Sequence, residues 1–359
     1  MSNRYGYTVG KTTKPQELVY MDITRRQILQ LSAATAAVTQ LPACGNDGPE
    51  ISLDKRFPGG PFGSQSTAEE VTFGIDLSGQ TALVTGCNSG LGYETMRVLA
   101  LRGAHVIGTG RTLEKAAAAC DSVVGTTTPL ELELSNYQSA VDCAKSVAAL
   151  GLDLDMLVLN AGINTFGELE LVNGVEKMLV VNYLGHFVLV DHLLPGIRAA
   201  NKARIVHVGS RSGYTRVPKY GIDFQNLRGE GVFNAMDAYG RSKLANALFS
   251  LELSRRLKGT GVTSNVIHPG LVKTNIVRTA PTWLRTLFNL MGGVIAKTPA
   301  QGAATQVYVA TNPALKGVSG AYFEDCNPVL VGGDHHIFDA AMAVRLWEEA
   351  QTITGDYLV

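Results

Sequence analysis

The chain lacks the features that mark several classes of protein. Its five cysteines are odd in number, irregularly spaced and without a CxxC pair, so the sequence predicts neither a disulfide framework nor a metal site. Lysine plus arginine and aspartate plus glutamate each number 31, and no long basic run occurs, which argues against nucleic acid as a partner. The 39 glycines follow no period. Collagen-like and low-complexity chains are therefore excluded as well.

A hydrophobic run long enough to cross a membrane is also missing near the N-terminus. Residues 28–41 are mildly apolar, but this stretch is short and contains Thr, Ser and Gln. It follows Arg25 and Arg26, an arrangement that resembles a cleavable twin-arginine export signal. Residues 41–44, Leu-Pro-Ala-Cys, also resemble a lipoprotein cleavage site, at which Cys44 would carry the lipid. The alternative is an apolar helix that follows two arginines by chance.

Three regions are predicted from this pattern. Residues 1–44 form an N-terminal extension with the export signal, and residues 45–75, rich in glycine, proline and polar side chains, form a mobile linker. Residues 76–359 form one folded domain, since roughly 280 residues suit a single large α/β domain. If the signal is used, we expect a periplasmic or membrane-anchored protein, and otherwise a cytoplasmic one.

From residue 76 onward, short runs of Val, Ile and Leu alternate with stretches of helical periodicity. Strands are predicted at residues 81–85, 105–110, 130–134, 155–160, 204–209 and 263–268, and helices near residues 91–102, 113–120, 136–150, 174–195 and 238–258. Strands that are apolar throughout indicate a parallel sheet covered on both faces. With right-handed crossovers the predicted fold class is α/β, a doubly wound parallel sheet of the Rossmann type in a single domain.

A glycine-rich turn connects the first of these strands to the first helix. Residues 85–92 read Thr-Gly-Cys-Asn-Ser-Gly-Leu-Gly. Such glycines permit a tight turn and let backbone N–H groups approach a pyrophosphate at the helix N-terminus. An ordinary glycine-rich connection is the alternative, but the position between a strand and a helix favours a dinucleotide site. The predicted phosphate-binding residues are Gly86, Asn88, Ser89, Gly90, Leu91 and Gly92.

The end of the second strand bears on the choice of dinucleotide. NAD sites usually have Asp or Glu there, to hold the ribose 2′-hydroxyl. This sequence has Gly-Thr-Gly-Arg at residues 108–111, and its next carboxylate is Glu114. Arg111 can bind a 2′-phosphate through a fork-shaped, charge-assisted contact, so NADP(H) is the predicted cofactor. The alternative is that Arg111 is a solvated residue at a helix start.

A Tyr and a Lys lie four residues apart on the helix predicted near residues 238–258. This spacing puts Tyr239 and Lys243 on one face of the helix. A fixed ammonium there, together with the positively charged oxidised nicotinamide, would favour the phenolate and lower the pKa of the phenol from ~10. The pair alone is uninformative, because Tyr7 and Lys11 match it equally well. Its position after Ser210, at the carboxyl end of the fifth strand, carries the argument, although Ser210 could also simply cap a turn.

Together these motifs resemble the short-chain dehydrogenase/reductase family, over residues 76 to about 350. The glycine-rich turn matches the TGxxxGxG pattern of that family, Ser210 its Ser-x-x-Gly pattern, and residues 239–243 its Tyr-x-x-x-Lys pattern. The resemblance implies that Asn182 completes a catalytic tetrad by bending its helix and holding a water connected to the lysine. An Asn that hydrogen-bonds its own helix is the alternative. Residues 317–323 resemble the last strand of the retinol-dehydrogenase-like branch.

The same resemblance implies further cofactor contacts. Residues 160–162 match the turn near the adenine ribose, and Glu133 stands where the family usually has an Asp that contacts adenine. Residues 268–274 match the turn that cradles the nicotinamide, and His186 is expected to pack rather than to catalyse. The further cofactor-binding residues are therefore Glu133, Asn160, Ala161, Gly162, Tyr239, Lys243, Pro269, Gly270, Val272 and Thr274.

The activity implied is that of an NADP(H)-dependent oxidoreductase that interconverts an alcohol and an aldehyde or ketone. Hydride would pass between the substrate carbon and nicotinamide C4, Tyr239 would exchange the hydroxyl proton, and Ser210 would orient the oxygen. A non-catalytic NADP(H)-binding regulator is one alternative, but no tetrad residue is missing. An isomerase or lyase that uses bound nicotinamide is another, and the turn at residues 268–274 disfavours it.

Residues 275–297 occupy the position of the substrate-covering loop of the family. Apolar side chains recur there with helical spacing, which favours a small lipophilic alcohol or carbonyl compound as the substrate. A helix that packs on the core or forms a homodimer interface is an equal alternative, and contact with a membrane surface through Arg278 and Arg285 is a third. The apolar side chains are Trp283, Leu284, Leu287, Phe288, Leu290 and Met291.

Overall fold

The computed structural model describes residues 49–231, 233–272 and 296–359 of the chain. The predicted export signal, Cys44, Thr274 and most of the predicted substrate-covering loop lie outside these residues. The strands are β1 (Ile51–Leu53), β2 (Thr81–Val84), β3 (His105–Gly110), β4 (Thr127–Glu131), β5 (Met156–Leu159), β6 (Leu171–Val172), β7 (Val175–Glu176), β8 (Arg204–Val208), β9 (Thr263–His268), β10 (Tyr322–Glu324) and β11 (Asn327–Val331).

The helices of the described residues lie mostly between successive strands. They are α1 (Ala68–Val71), α2 (Gly90–Leu101), α3 (Leu113–Asp121), α4 (Tyr137–Ala149), α5 (Lys177–Leu179), α6 (Gly185–Ala200), α7 (Ser212–Thr215), α8 (Ala235–Arg256), α9 (Pro299–Thr311) and α10 (Ala340–Thr354). A π-helical turn at Val180–Leu184 joins α5 to α6.

Nine of the strands form one sheet in the order β1-β11-β10-β9-β8-β5-β2-β3-β4, and β6 and β7 form a separate hairpin. The strands from β10 to β4 in this order are parallel neighbours, whereas β11 is antiparallel to β10. The predicted doubly wound α/β fold is therefore confirmed. The strand predicted at residues 130–134 is observed three residues earlier, from Thr127. It is an edge strand, which needs no apolar run and tolerates Pro129.

Side chains of the sheet alternate between two apolar layers, because neighbouring residues of a strand point to opposite faces. Leu83 packs in a cluster with residues of α4, α6 and α8, such as Val141, Leu189 and Leu248. Its neighbour Val84 packs in a second cluster with residues of α2, α3 and α9. The two layers cover both faces of the sheet and leave the carboxyl ends of the strands for a binding site.

Residues 51–71 belong to this folded unit, so the prediction of a mobile linker over residues 45–75 is wrong there. Ile51 pairs with Val331 of β11. Helix α1 begins after its N-cap, Thr67, which forms a capping box with Glu70. Val71 is buried in the apolar layer that covers one face of the sheet. Composition suggested a linker, but burial against distant parts of the chain holds the segment in place.

The long apolar helical segment at the centre of the fold comprises α5, the π-helical turn and α6. Within the described residues, Lys177–Ala200 has the length and composition of a membrane span, but 83% of its apolar window is buried inside the fold. Its apolar character therefore reflects core packing. Asn182 lies within the π-helical turn, a rare geometry that is frequent at functional sites.

Candidate active site

The direction of strand order reverses between β2 and β5, which leaves a crevice at the carboxyl ends of these strands. The glycine-rich turn follows β2, and the turn at residues 160–162 follows β5. Thr85 joins the two turns, because its Oγ1 accepts hydrogen bonds from the backbone N–H groups of Asn160 and Ala161, both at 2.9 Å. The backbone N–H of Cys87 donates to the carbonyl of Thr109 at 2.7 Å, which ties the glycine-rich turn to β3.

The glycines of this turn are required by backbone conformation and by space. Gly86 and Gly90 have φ angles of +73° and +60°, in the left-handed region that favours glycine. A Cβ on Gly92 would lie 2.3 Å from the carbonyl oxygen of Gly86 and 2.5 Å from Nδ2 of Asn160. Ser89, the N-cap of α2, makes no side-chain capping hydrogen bond. The first N–H groups of α2 can therefore bind an anionic ligand.

Arg111 lies just beyond the carboxyl end of β3. Because β3 pairs with β2 so that Gly108 is opposite Val84, residues 109–111 and the glycine-rich turn share one edge of the sheet. Arg111 is exposed, and its guanidinium makes no hydrogen bond or ion pair with the residues that the structure describes. This cation is thus free to bind a ligand phosphate, and no carboxylate lies at the end of β3.

Ser210 and Tyr239, which are 29 residues apart in the chain, meet at the carboxyl end of β8. Both side chains line one cavity. Burial raises the pKa of Tyr239 to about 12, and the Ser210 hydroxyl opposes this rise as a hydrogen-bonding group. The lowering of this pKa by Lys243 together with the oxidised nicotinamide stays a prediction for the cofactor-bound protein. Desolvation of the phenolate is the largest influence on this pKa in the protein alone. Nζ of Lys243 lies 5.8 Å from the centre of the Tyr239 ring.

Lys243 is buried together with Tyr239 on the same face of α8. Its Nζ donates a hydrogen bond to the carbonyl of Val208, at 2.9 Å. Burial lowers the pKa of this ammonium to about 8, because the charged form loses hydration and gains only a carbonyl partner. A Cβ on Gly162 would lie 3.6 Å from Nζ, so the turn after β5 passes directly beside the lysine.

Asn182 is fully buried and bonds across to both neighbouring segments. Its Oδ1 accepts from the backbone N–H of Ile163 at 2.8 Å, and its Nδ2 donates to the carbonyl of Ile163 at 3.0 Å. The same Nδ2 donates to Oγ of Ser242, at 2.9 Å. Asn182 therefore does not merely bond its own helix, which was the alternative. It connects the turn after β5 to the helix that carries Tyr239 and Lys243.

His186 connects the glycine-rich turn to the same network, which the sequence did not indicate. Its Nε2 lies 3.0 Å from Oγ1 of Thr85, and its Nδ1 lies 3.2 Å from the carbonyl oxygen of Asn182. Because Thr85 Oγ1 already accepts two backbone N–H groups, its own proton goes to His186 Nε2. Nδ1 is then the protonated nitrogen and donates to Asn182. Burial lowers the pKa of His186 to about 4, so the ring is neutral at physiological pH.

A cavity of about 620 Å³ opens beside these residues. Of the predicted site residues, it is lined by Leu91, Asn160, Gly162, Ser210, Tyr239, Lys243, Pro269, Gly270 and Val272. Glu133 is not among the lining residues, and its Oε1 accepts two hydrogen bonds from Ser135 in its own loop. That local pairing disfavours the predicted adenine contact. Thr274 lies outside the described residues.

Sequence motifs did not indicate the other charged residues at the cavity. Arg211, Lys297 and Asp325 line the cavity, and Glu324 pairs with Arg211. Glu324 directly ends a strand of the parallel sheet, so the rule that ligands bind at the carboxyl ends of strands could have indicated it. Within the described residues, no group of three or more His, Cys, Asp or Glu side chains could hold a metal ion.

Comparison with known proteins agrees with this site. A family model for short chain dehydrogenases matches residues 80–222. Human retinol dehydrogenase 14 is 38% identical over 300 residues, which cover 78% of this chain and 87% of that protein. The chain therefore belongs to the short-chain dehydrogenase/reductase family of oxidoreductases.

Two solved structures show the same fold. A protein from Mycobacterium Paratuberculosis has a TM-score of 0.61 at 29% identity, over 78% of this chain and 95% of that one. A protein from Beutenbergia cavernae, assigned as an NAD(P) dependent gluconate 5-dehydrogenase, has NADP bound at low occupancy. Its TM-score is 0.56 at 27% identity, over 69% of this chain and 96% of that one.

The family binds nicotinamide dinucleotides, and the crevice between β2 and β5 fits such a group in two respects. The uncapped start of α2 offers donors to the pyrophosphate, and the glycines leave room for its approach.

Proposed function

We propose that this protein is an NADP(H)-dependent oxidoreductase that interconverts a small lipophilic alcohol and the corresponding aldehyde or ketone. The convergence of Ser210, Tyr239 and Lys243 on one cavity, beside the glycine-rich turn, carries the proposal. Human retinol dehydrogenase 14, a relative named for a lipophilic alcohol, supports the substrate class. Arg111, which has no partner among the residues that the structure describes, and the NADP in a structural neighbour support the choice of cofactor.

The residues of this chain would act as follows. The hydroxyl groups of Ser210 and Tyr239 bind the substrate oxygen from one side. Because burial raises the pKa of Tyr239 to about 12, its phenol is protonated at neutral pH and can donate a proton to that oxygen during carbonyl reduction. Lys243 supplies a positive charge beside the phenolate that remains. The nicotinamide, when bound, supplies or accepts the hydride.

Four parts of the chain would hold the cofactor. The N–H groups at the start of α2 would bind the pyrophosphate, and Arg111 would bind a 2′-phosphate. The turn at residues 160–162, whose backbone is held by Thr85, would contact the ribose. Residues 269–272, which line the cavity, would contact the nicotinamide.

The acid/base role of Tyr239 is tested with Tyr239→Phe, and Tyr220→Phe serves as a control because that side chain is 60% exposed. We expect Tyr239→Phe to bind NADPH as tightly as the unchanged protein while its turnover of aldehydes falls by roughly 10³-fold or more. NADPH consumption and fluorescence titration measure the two quantities. Unchanged turnover in Tyr239→Phe would end the proposed mechanism. Tight NADPH binding without turnover of any aldehyde or ketone by the unchanged protein would instead favour a regulator.

The choice of cofactor is tested by titration with NADPH and NADH. We expect NADPH to bind at least about tenfold more tightly, and Arg111→Gln to remove most of that difference, because a charge-assisted contact to the 2′-phosphate is lost. Equal affinity for the two dinucleotides in the unchanged protein would refute the NADP(H) assignment.

A further inference from the structure

Two cations flank the reacting groups of the cavity, and neither is used by the proposed mechanism. Arg211 directly follows Ser210, and its backbone N–H donates to Nδ1 of His268. The side chain of Lys297 packs over Gly270, since a Cβ on that glycine would lie 2.7 Å from its Cδ. Both residues line the cavity. Cations in this position would normally attract a substrate carboxylate.

Each of these cations is already paired with a carboxylate of one β-turn. Nε and Nη2 of Arg211 both donate to Oε2 of Glu324, at 2.8 and 2.6 Å. The hydroxyl of Tyr214 donates to the other oxygen, Oε1, at 2.8 Å. The Glu324 side chain is only 4% exposed, whereas that of Arg211 is 50% exposed. Arg211 therefore neutralises the buried carboxylate of Glu324. Because it is already paired, its charge is not available to a substrate.

The next residue of the turn neutralises the second cation. Nζ of Lys297 and Oδ1 of Asp325 form an ion pair, in which the lysine side chain is 12% and the aspartate side chain 38% exposed. Asp325 and Cys326 join β10 to β11 with φ angles of +49° and +63°, which is a type I′ turn made without glycine. The backbone N–H of Cys326 donates to Oγ1 of Thr305 at 3.2 Å. The turn is thus anchored to α9, and it holds both carboxylates in place.

Among the cavity-lining residues that the structure describes, Lys243 at the reaction site is the one Lys or Arg without a carboxylate partner, so a substrate carboxylate would lose hydration there without meeting another free cation. Removal of either acid of the turn would leave one cation unpaired beside the reacting groups. We propose that Arg211 and Lys297 form a latent carboxylate-binding site, and that Glu324 and Asp325 determine specificity by occupying it. The inference rests on the proposed function and adds that uncharged carbonyl compounds are selected by these two ion pairs.

The test compares 4-methylbenzaldehyde with 4-carboxybenzaldehyde, two substrates of similar shape that differ in charge. In Glu324→Gln the side chain keeps its shape and an acceptor for Arg211 but loses its charge. We expect kcat/KM for the carboxylate, relative to the methyl compound, to rise at least about tenfold in this variant. The rise should vanish when Arg211→Gln is added. Glu252→Gln, which removes a buried ion-paired carboxylate of α8, should leave the ratio unchanged.

A second variant keeps the inference testable if Glu324→Gln fails to fold. Asp325→Asn alters a more exposed side chain, and Asn tolerates the left-handed backbone conformation at this position. It frees Lys297, so the same ratio should rise. Ratios within twofold of the unchanged protein in both variants, or a rise that persists without Arg211 in the double variant, would overturn the inference.

Binding of benzoate separates this inference from the proposed function. The NADP-loaded protein is titrated with benzoate, and we expect Glu324→Gln to bind it at least about tenfold more tightly than the unchanged protein does. If neither aldehyde is reduced but benzoate binding rises in this way, the proposed function fails and the latent site stands. If aldehydes are reduced but benzoate binding does not rise, the proposed function stands and the latent site is refuted.

Discussion

At the scale of single residues, the burial of Lys243 in the active site lowers the stability of the folded protein. The residue is 4% exposed, and its ammonium has only the carbonyl of Val208 as a hydrogen-bond partner among the described residues. Burial without a counter-ion lowers the pKa of Lys243 to about 8, against ~10.4 for an unperturbed lysine. Between these two values the unfolded chain binds more protons than the folded one, so stability rises with pH across this window. At neutral pH the full free-energy penalty for burying the charged ammonium is present.

We therefore expect Lys243→Met to abolish turnover and to stabilise the cofactor-free protein by about 2 kcal/mol at pH 7, since an apolar side chain of similar length replaces a buried charge. The stability advantage of Lys243→Met over the unchanged protein should shrink above pH 8 and disappear near pH 10.5. Urea denaturation at several pH values measures it, with the exposed Lys115→Met as the control. A destabilised Lys243→Met protein at pH 7 would show that the bond to Val208 outweighs the desolvation penalty.

At the scale of elements, the helix α2 and the turn before it act as one unit. The space beside Gly92 is occupied by the backbone of Gly86 and the side chain of Asn160. The glycine is helical and buried, so its role is to admit close packing of the turn against the start of α2. Gly196 offers a contrast, because it also lies within a helix, α6, but a Cβ there would have no neighbour within 4 Å.

The same substitution at these two glycines should have opposite effects. Gly92→Ala forces the turn to shift, and we expect a loss of roughly 1–3 kcal/mol in the free energy of unfolding and NADPH binding weakened at least about tenfold. Gly196→Ala should stabilise the protein by ~0.5–1 kcal/mol, since alanine is the better helix former, and leave NADPH binding unchanged. Thermal unfolding and fluorescence titration measure both. Normal NADPH affinity in Gly92→Ala would contradict the proposed binding mode.

At the scale of the whole molecule, residues 51–71 extend the sheet and cover one of its faces. Strand β1 pairs with β11, the strand that leaves the turn at Asp325 and Cys326. The segment thus supports the element that holds Arg211 and Lys297. Val71 at the end of this segment is 2% exposed, whereas Phe73, two residues beyond it, is 85% exposed. These two residues distinguish a folded segment from a linker.

Substitution of each by serine gives a direct test. Val71→Ser should lower the free energy of unfolding by about 2–3 kcal/mol, because it removes buried apolar surface and buries a hydroxyl. Phe73→Ser should change it by less than about 0.5 kcal/mol, as expected for an exposed position. Chemical denaturation of the full chain measures the difference. Equal, small effects at both positions would mean that the segment is detached in solution.

The sequence by itself determined the parallel sheet, because the central strands are buried on both faces and are therefore mostly apolar, as residues 81–84 and 156–159 are. It also indicated the turn at residues 85–92 and the positions of Ser210, Asn182, Tyr239 and Lys243, because short motifs encode local backbone geometry. Only the tertiary structure decided what depends on distant contacts. Burial, which no motif records, sets the pKa of Tyr239 and incorporates residues 51–71 into the fold. Likewise, Arg211 acquires its partner Glu324 from 113 residues away, because strand order brings the ends of β8 and β10 to one cavity.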